Sequence, residues 1–180
     1  AEARYEWYFA RDQRVSASVF YKKIKNPIEA FVSSDSNALV TSFANAPEAK
    51  LYGAELELQK YFSLASMSEA AFWQSRRLAL IANYTYTKSE LKVGANDPAR
   101  VFASNANKAT DYFVDGTPLT GQSDHLINLQ VGLEDQDNLS QQTLMLSYAS
   151  ERVTSRGLSG FPDVIEKPGF RVDFVARQGI

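Results

Sequence analysis

The chain has 180 residues, 44% hydrophobic and 22% charged, with a formal net charge of −2 and no cysteine. That length suits one ordinary domain or part of a larger one. The composition excludes disulfides, zinc–thiolate sites and cysteine nucleophiles, and with no basic cluster it implies no nucleic-acid partner. The longest apolar run, LALIA at 78–82, excludes a transmembrane helix, which needs about 20 apolar residues. It leaves open a membrane barrel, whose strands alternate.

The N-terminal AEARYEWYFA lacks the basic-then-apolar pattern of a signal peptide and starts inside a strand-like segment, so a fragment is expected. Period-two alternation then predicts seven strands, at 4–10, 14–24, 50–62, 77–88, 125–134, 142–150 and 170–176. The third is the longest: Tyr52, Ala54, Leu56, Leu58 and Phe62 form an oily face, broken by Lys60, opposite a wet face carrying Glu55 and Glu57. Between the third and fourth strands, Ser66 and Glu69 have capping-box spacing, which predicts a short helical turn containing Phe72 and Trp73. Segments 25–49, 89–124 and 151–169 read as long irregular loops, the first with patches that extend a hairpin.

The connections alternate in length. Those after strands one, three and five are short or medium; those after two, four and six are long. Outer-membrane barrels show this parity, with short turns at one end and long loops at the other, whereas a Greek-key sandwich has no reason to. The aromatics agree. The oily-face residues nearest the long-loop end are Tyr21, Tyr52, Tyr86 with Tyr84, Tyr148 and Phe170, and at the short-turn end Phe9 and Phe62. Rings at both limits of an apolar band are the girdles of a membrane barrel. The expected fold is therefore all-β: an antiparallel up-and-down transmembrane β-barrel, or one partial barrel domain over 1–180. Seven strands would leave two unpaired edges, so a closed seven-stranded barrel is not expected.

Catalytic, cofactor and metal sites are not expected. Asp135-Gln136-Asp137-Asn138 opens like a calcium loop, but Leu139 and Ser140 stand where a ligand and a glycine belong, so it reads as a turn. His125 is the only histidine, which argues against a histidine metal site or triad and makes it a polar residue near the rim. Glu55 and Glu57 have no acid/base partner nearby in sequence and read as wet-face residues. With Asn83, Asn128, Gln130, Arg171 and Asp173 they form the predicted lumen-facing set, in which opposite charges would pair across strands.

Four ordered segments resemble TonB-dependent outer-membrane receptors. KLYGAELELQKYF after FANAPEA resembles the strand pattern N-x-x-x-A-x-x-x-G-x-E-x-E, and PLTGQSDHLINLQVGLE is similar to P-L-x-G-Q-S-x-H-x-x-N. LMLSYASERVTSRG resembles Y-N-x-x-G-x-R-I, departing at 149–151, and FPDVIEKPGFRVDF resembles P-D-x-x-E-x-P-x-x-x-x-D. The resemblance implies part of a 22-stranded barrel around a plug, strands 14 to 20 by parity, with the plug and the final strands outside this sequence. It also implies a Gram-negative outer-membrane location and lipid contact, coupling to the TonB complex through the plug, and uptake of a small scarce nutrient: a ferric siderophore, a cobalamin or a glycan. Loops 25–45, 89–124 and 151–169 are then the ligand-facing candidates. The rival expectations are a soluble β-sandwich or lipocalin-like binding module, and a passive porin or adhesin.

Overall fold

Alternating apolar and polar side chains favour an extended chain, and backbone pairing carries each strand beyond its alternating core. The computed structural model describes residues 1–35, 38–98, 100–101, 108–158 and 160–179. In chain order it contains β1 (Glu2–Ala10), β2 (Gln13–Lys25), β3 (Ile28–Asp35), β4 (Ala38–Asn45), β5 (Glu48–Ser63) and the helical turn α1 (Ala71–Gln74). There follow β6 (Arg76–Lys92), β7 (Arg100–Val101), a 3-10 turn at Ala109–Asp111, β8 (His125–Asp135), β9 (Ser140–Ala149), β10 (Arg152–Gly157), β11 (Val164–Glu166) and β12 (Gly169–Gln178).

The seven predicted strands are β1, β2, β5, β6, β8, β9 and β12. They form one sheet in that order, every neighbour antiparallel. This is an up-and-down meander, with the long connections at one end and the short turns at the other. The sheet is open, with β1 and β12 at its edges.

Three local expectations need correction. The capping box does not form: the N-cap of α1 is Ala70, with no side-chain cap, and the Ala70 N–H donates to Ser68 Oγ at 3.2 Å. The first turn, read from sequence at Asp12-Gln13, lies at Arg11-Asp12, with Asp12 at φ 57° and Gln13 already in β2; aspartate tolerates that left-handed backbone. Much of the predicted irregular sequence is regular. Beyond the β3–β4 hairpin, β10 and β11 occupy 151–169, and β6 runs to Lys92. Residues 36–37, 99, 102–107 and 159, which fall in those loops, lie outside the described residues.

The long connections build a second sheet, ordered β11-β10-β3-β4-β7, in which β10 pairs parallel with β3. This cap holds the main hydrophobic cluster, centred on Phe31, Ala44, Ala46, Leu91, Ala109 and Phe113. Its buried side chains come from the first two long connections and the end of β6, and Leu158 of the third packs against them, so each connection buries surface it could not bury alone.

At the other end, Asp135 closes the β8–β9 turn. Its carboxylate accepts the N–H groups of Asp137 at 3.1 Å and Asn138 at 3.2 Å and pairs with Arg76 at 3.1 Å. Burial pushes the carboxyl up, but the Ser75 hydroxyl and the turn N–H groups outweigh it and hold it at about 2. The folded value lies below the ordinary 3.8, so this stabilisation is complete above that value and is lost as the pH falls through about 2. Amide protection at Asp137 and Asn138, corrected for intrinsic exchange, is therefore expected to hold to about pH 4 and fall below it. In Asp135→Asn that step should vanish; an unchanged profile would remove the carboxylate from the account.

Candidate functional site

Register sorts the seven-stranded sheet into two faces of opposite chemistry. One transverse row reads Trp7, Val15, Leu58, Ala82, Leu129, Leu146 and Val172, each opposite the next. The adjacent row on that face reads Tyr5, Ala17, Leu56, Tyr84, Ile127, Tyr148 and Phe170. These side chains have little cover: Tyr5 is 70% exposed and Phe170 78%.

The girdle aromatics named from sequence stand on this face, while Phe72 and Trp73 lie on α1. Tyr21 lies opposite Tyr52. One step toward the short turns Tyr86 faces His125, and a further step on Tyr84, Tyr148 and Phe170 share a row. The rings thus descend four residues over the four strand steps from β5 to β12. Tyr148 and Phe170 touch, with centroids 4.7 Å apart. Phe62 stands at the short-turn end of β5, where the Lys60 ammonium lies 4.9 Å from its ring and 5.9 Å from that of Phe9. His125 is more than a polar rim residue: it stacks on Tyr84 and shares a 2.9 Å hydrogen bond with its hydroxyl. Alternation with Ile127 and Leu129 was the signal that placed it among the rings.

The opposite face is polar. Its central row is Glu6, Ser16, Glu57, Asn83, Asn128, Ser147 and Arg171. All seven predicted lumen-facing residues lie on this face, in two groups. On β5, Glu57 accepts from Arg4 at 2.8 Å and Ser16 at 3.1 Å and pairs with Arg14 at 3.5 Å, while Glu55 accepts from Ser18 at 3.4 Å. Farther across, Asn83, Asn128, Gln130 and Asp173 line a hollow of about 300 Å³. Arg171 pairs with Asp173 at 2.8 Å, along its own strand rather than across strands. Fixed donors and acceptors of both signs suit a hydrated surface; Glu55 and Glu57 are not arranged as an acid/base pair.

Sequence reasoning missed the polar centre of the cap. Glu29 of β3 is 1% exposed and accepts the Thr120 N–H at 3.0 Å. Arg156 of β10, 7% exposed, pairs with Asp163 at 2.8 Å and donates to the Pro118 carbonyl. Burial pushes the Glu29 carboxyl up; the Thr120 N–H, the Arg156 charge and the Thr120 hydroxyl offset this only in part. Residues from all three long connections therefore meet here. Nearby, Gly121 at φ 74° donates its N–H to Val153 O, and Ser123 Oγ donates to Ser150 O. The PLTGQS segment is the splice between the second and third long connections.

An open antiparallel meander with one bare apolar face, one polar face and a folded cap over its long-loop end belongs to the class of outer-membrane barrel walls. The family model for TonB-dependent receptor-like β-barrels matches residues 1–177, and the chain belongs to that family. Its members are nutrient-uptake receptors of the Gram-negative outer membrane that work with TonB. No curated protein and no solved structure matches the chain.

Proposed function

We propose that this chain is one partial barrel domain: part of the wall and outer loops of a TonB-dependent receptor, importing a small scarce nutrient of the ferric siderophore, cobalamin or glycan class. The carrying observation is the bare apolar face. From the Tyr52 row to the Phe62 row it spans ten residues, roughly 33 Å along the strand. A tilt of about 40° projects this to about 25 Å, the height of an outer-membrane apolar band. A soluble sandwich would have to bury that face. On this reading Tyr21, Tyr52, Tyr84, Tyr86, Tyr148 and Phe170 form the outer girdle and Phe62 lies in the inner one. Glu55, Glu57, Asn83, Asn128, Gln130, Arg171 and Asp173 face the lumen, and the cap meets the nutrient. Energy would come from the TonB complex acting on a plug, which separates this reading from a passive porin.

Leu146 and Ser147 test the assignment, since they are adjacent in β9 at one depth and point to opposite faces. Leu146 is the first lipid-face residue inside Tyr148, between girdle and midplane, so Leu146→Arg in the intact barrel is expected to cost about 1–3 kcal/mol, against under about 1 for Ser147→Arg. Denaturant titration of the refolded receptor in phospholipid reads both, and equal costs would overturn the face assignment. Uptake of each nutrient class by cells, with and without a protonophore, separates an energised receptor from a pore.

A further inference from the structure

The outward face changes chemistry just past the tyrosines toward the long-loop end. The next cross-strand row is Lys23, Lys50 and Glu90, and the one after it Lys25, Glu48 and Lys92. Lys88 sits beside Tyr52 in the tyrosine row itself. Lys23 and Lys50 are directly opposite on one face, an arrangement that repels rather than stabilises.

Carboxylates satisfy only part of this tier. Lys23 pairs with Glu48 at 2.7 Å, Lys92 with Glu90 at 3.1 Å and Lys88 with Asp124 at 3.6 Å. Among the described residues, Lys25 and Lys50 have no carboxylate within ion-pair distance. Within ion-pair distance, five ammonium groups thus meet three carboxylates, with Lys25 and Lys50 left over and the tyrosines in the next row of the same face.

We propose that this lysine tier, centred on Lys25 and Lys50, binds the phosphate groups of lipid headgroups in the surrounding leaflet. The inference rests on the reading that the apolar face contacts lipid, since only then does the tier stand at headgroup level. A phosphate has several acceptor oxygens and can bridge the facing ammonium groups of Lys23 and Lys50, turning a repulsive pair into a site. Lysine suits this as a point charge on a long stem that reaches from the wall to the headgroup. The opposite end of β5 shows the contrast: Lys60 lies over two rings and has no second lysine facing it.

The intact receptor in nanodiscs of phosphatidylcholine, with or without phosphatidylglycerol, tests the site by native mass spectrometry of retained lipid. Preferential retention of phosphatidylglycerol is expected, falling about 25-fold in Lys25→Gln/Lys50→Gln, at about five-fold per lysine. Lys60→Gln should leave it unchanged. Equal retention of both lipids, or equal loss in Lys60→Gln, would overturn the site. Displacement of the bound phosphatidylglycerol by millimolar inorganic phosphate would show a free-phosphate site and overturn the lipid assignment. Protease protection of the strands in the same nanodiscs reports insertion independently: loss of lipid preference with insertion intact counts against the site alone, and failure to insert counts against the membrane reading.

Discussion

Gly53→Ala is expected to destabilise the barrel by about 3 kcal/mol, at the upper end of what an inserted methyl costs. Gly53 lies in β5 between Phe20 of β2 and Thr87 of β6. A Cβ there would collide with the Tyr86 carbonyl oxygen and come within 2.8 Å of Phe20 Cζ. The ring can swing aside but the carbonyl cannot, because it belongs to the paired backbone of β6. Phe20→Ala added to Gly53→Ala should therefore fail to restore stability. Gly132 is the internal control: a Cβ there meets Thr143 Oγ1 at 3.5 Å and the Ala79 methyl at 3.6 Å, ordinary contacts. Gly132→Ala is expected to change stability by less than about 1 kcal/mol, with a gain as acceptable as a loss, since glycine weakens a strand interior. Denaturant midpoints of the refolded receptor decide it. Equal effects at the two glycines would show that backbone crowding at Gly53 is not what requires glycine there.

Arg156→Ala is expected to loosen the cap by about 3 kcal/mol, because removing one partner leaves buried charge without compensation. Arg156 donates to Asp163 and Pro118 and offsets the charge of buried Glu29, so all three lose a partner together. Glu29→Gln keeps an acceptor for the Thr120 N–H and removes the charge, and the double variant should recover part of the loss. The pH dependence has a definite sign. The Glu29 carboxyl is raised above its ordinary 4.5 in the folded cap, so the folded state holds its proton more tightly than the unfolded one. The cap is then more stable at low pH. It loses that increment as the pH rises from about 4.5 through the folded value. Hydrogen exchange of β3 and β10 amides across this range should show protection falling with rising pH, and a flat profile in Glu29→Gln. A slope that survives in Glu29→Gln would place the titration elsewhere.

The meander was legible because its information is local. In β8, Ile127, Leu129, Val131 and Leu133 alternate with polar or small residues from 127 to 134, and a two-residue period has one structural reading. Connection lengths then ordered the strands without any long-range contact. The cap was not legible for the opposite reason. Glu29 sits in NPIEAFV, where a glutamate between apolar residues looks like the wet side of a short strand. Its hydrogen-bond partner, Thr120, is 91 positions away. The parallel pairing of β10 with β3 joins residues more than a hundred positions apart, and no spacing rule reports that. The capping box failed on a smaller scale: the helical turn is capped at Ala70, so Ser66 and Glu69 both lie before it.

The rings stand level from Tyr84 through Tyr148 to Phe170, four residues below Tyr52, and over the four strand steps from β5 to β12 this gives an average slope. One residue of about 3.3 Å for each interstrand step of about 4.8 Å is an angle of about 35°, within the tilt that closed barrels require. A wall built on that slope returns to its first strand displaced by about as many residues as it has strands. Strands that continue the sheet beyond β1 or β12 keep this average offset in the same sense, taken up in steps of two residues, because a one-residue slip would turn the rings to the polar face. On the membrane reading, a series of neighbours all added level would carry the rings off the interface, so the average offset is a rule for which strands can join this wall.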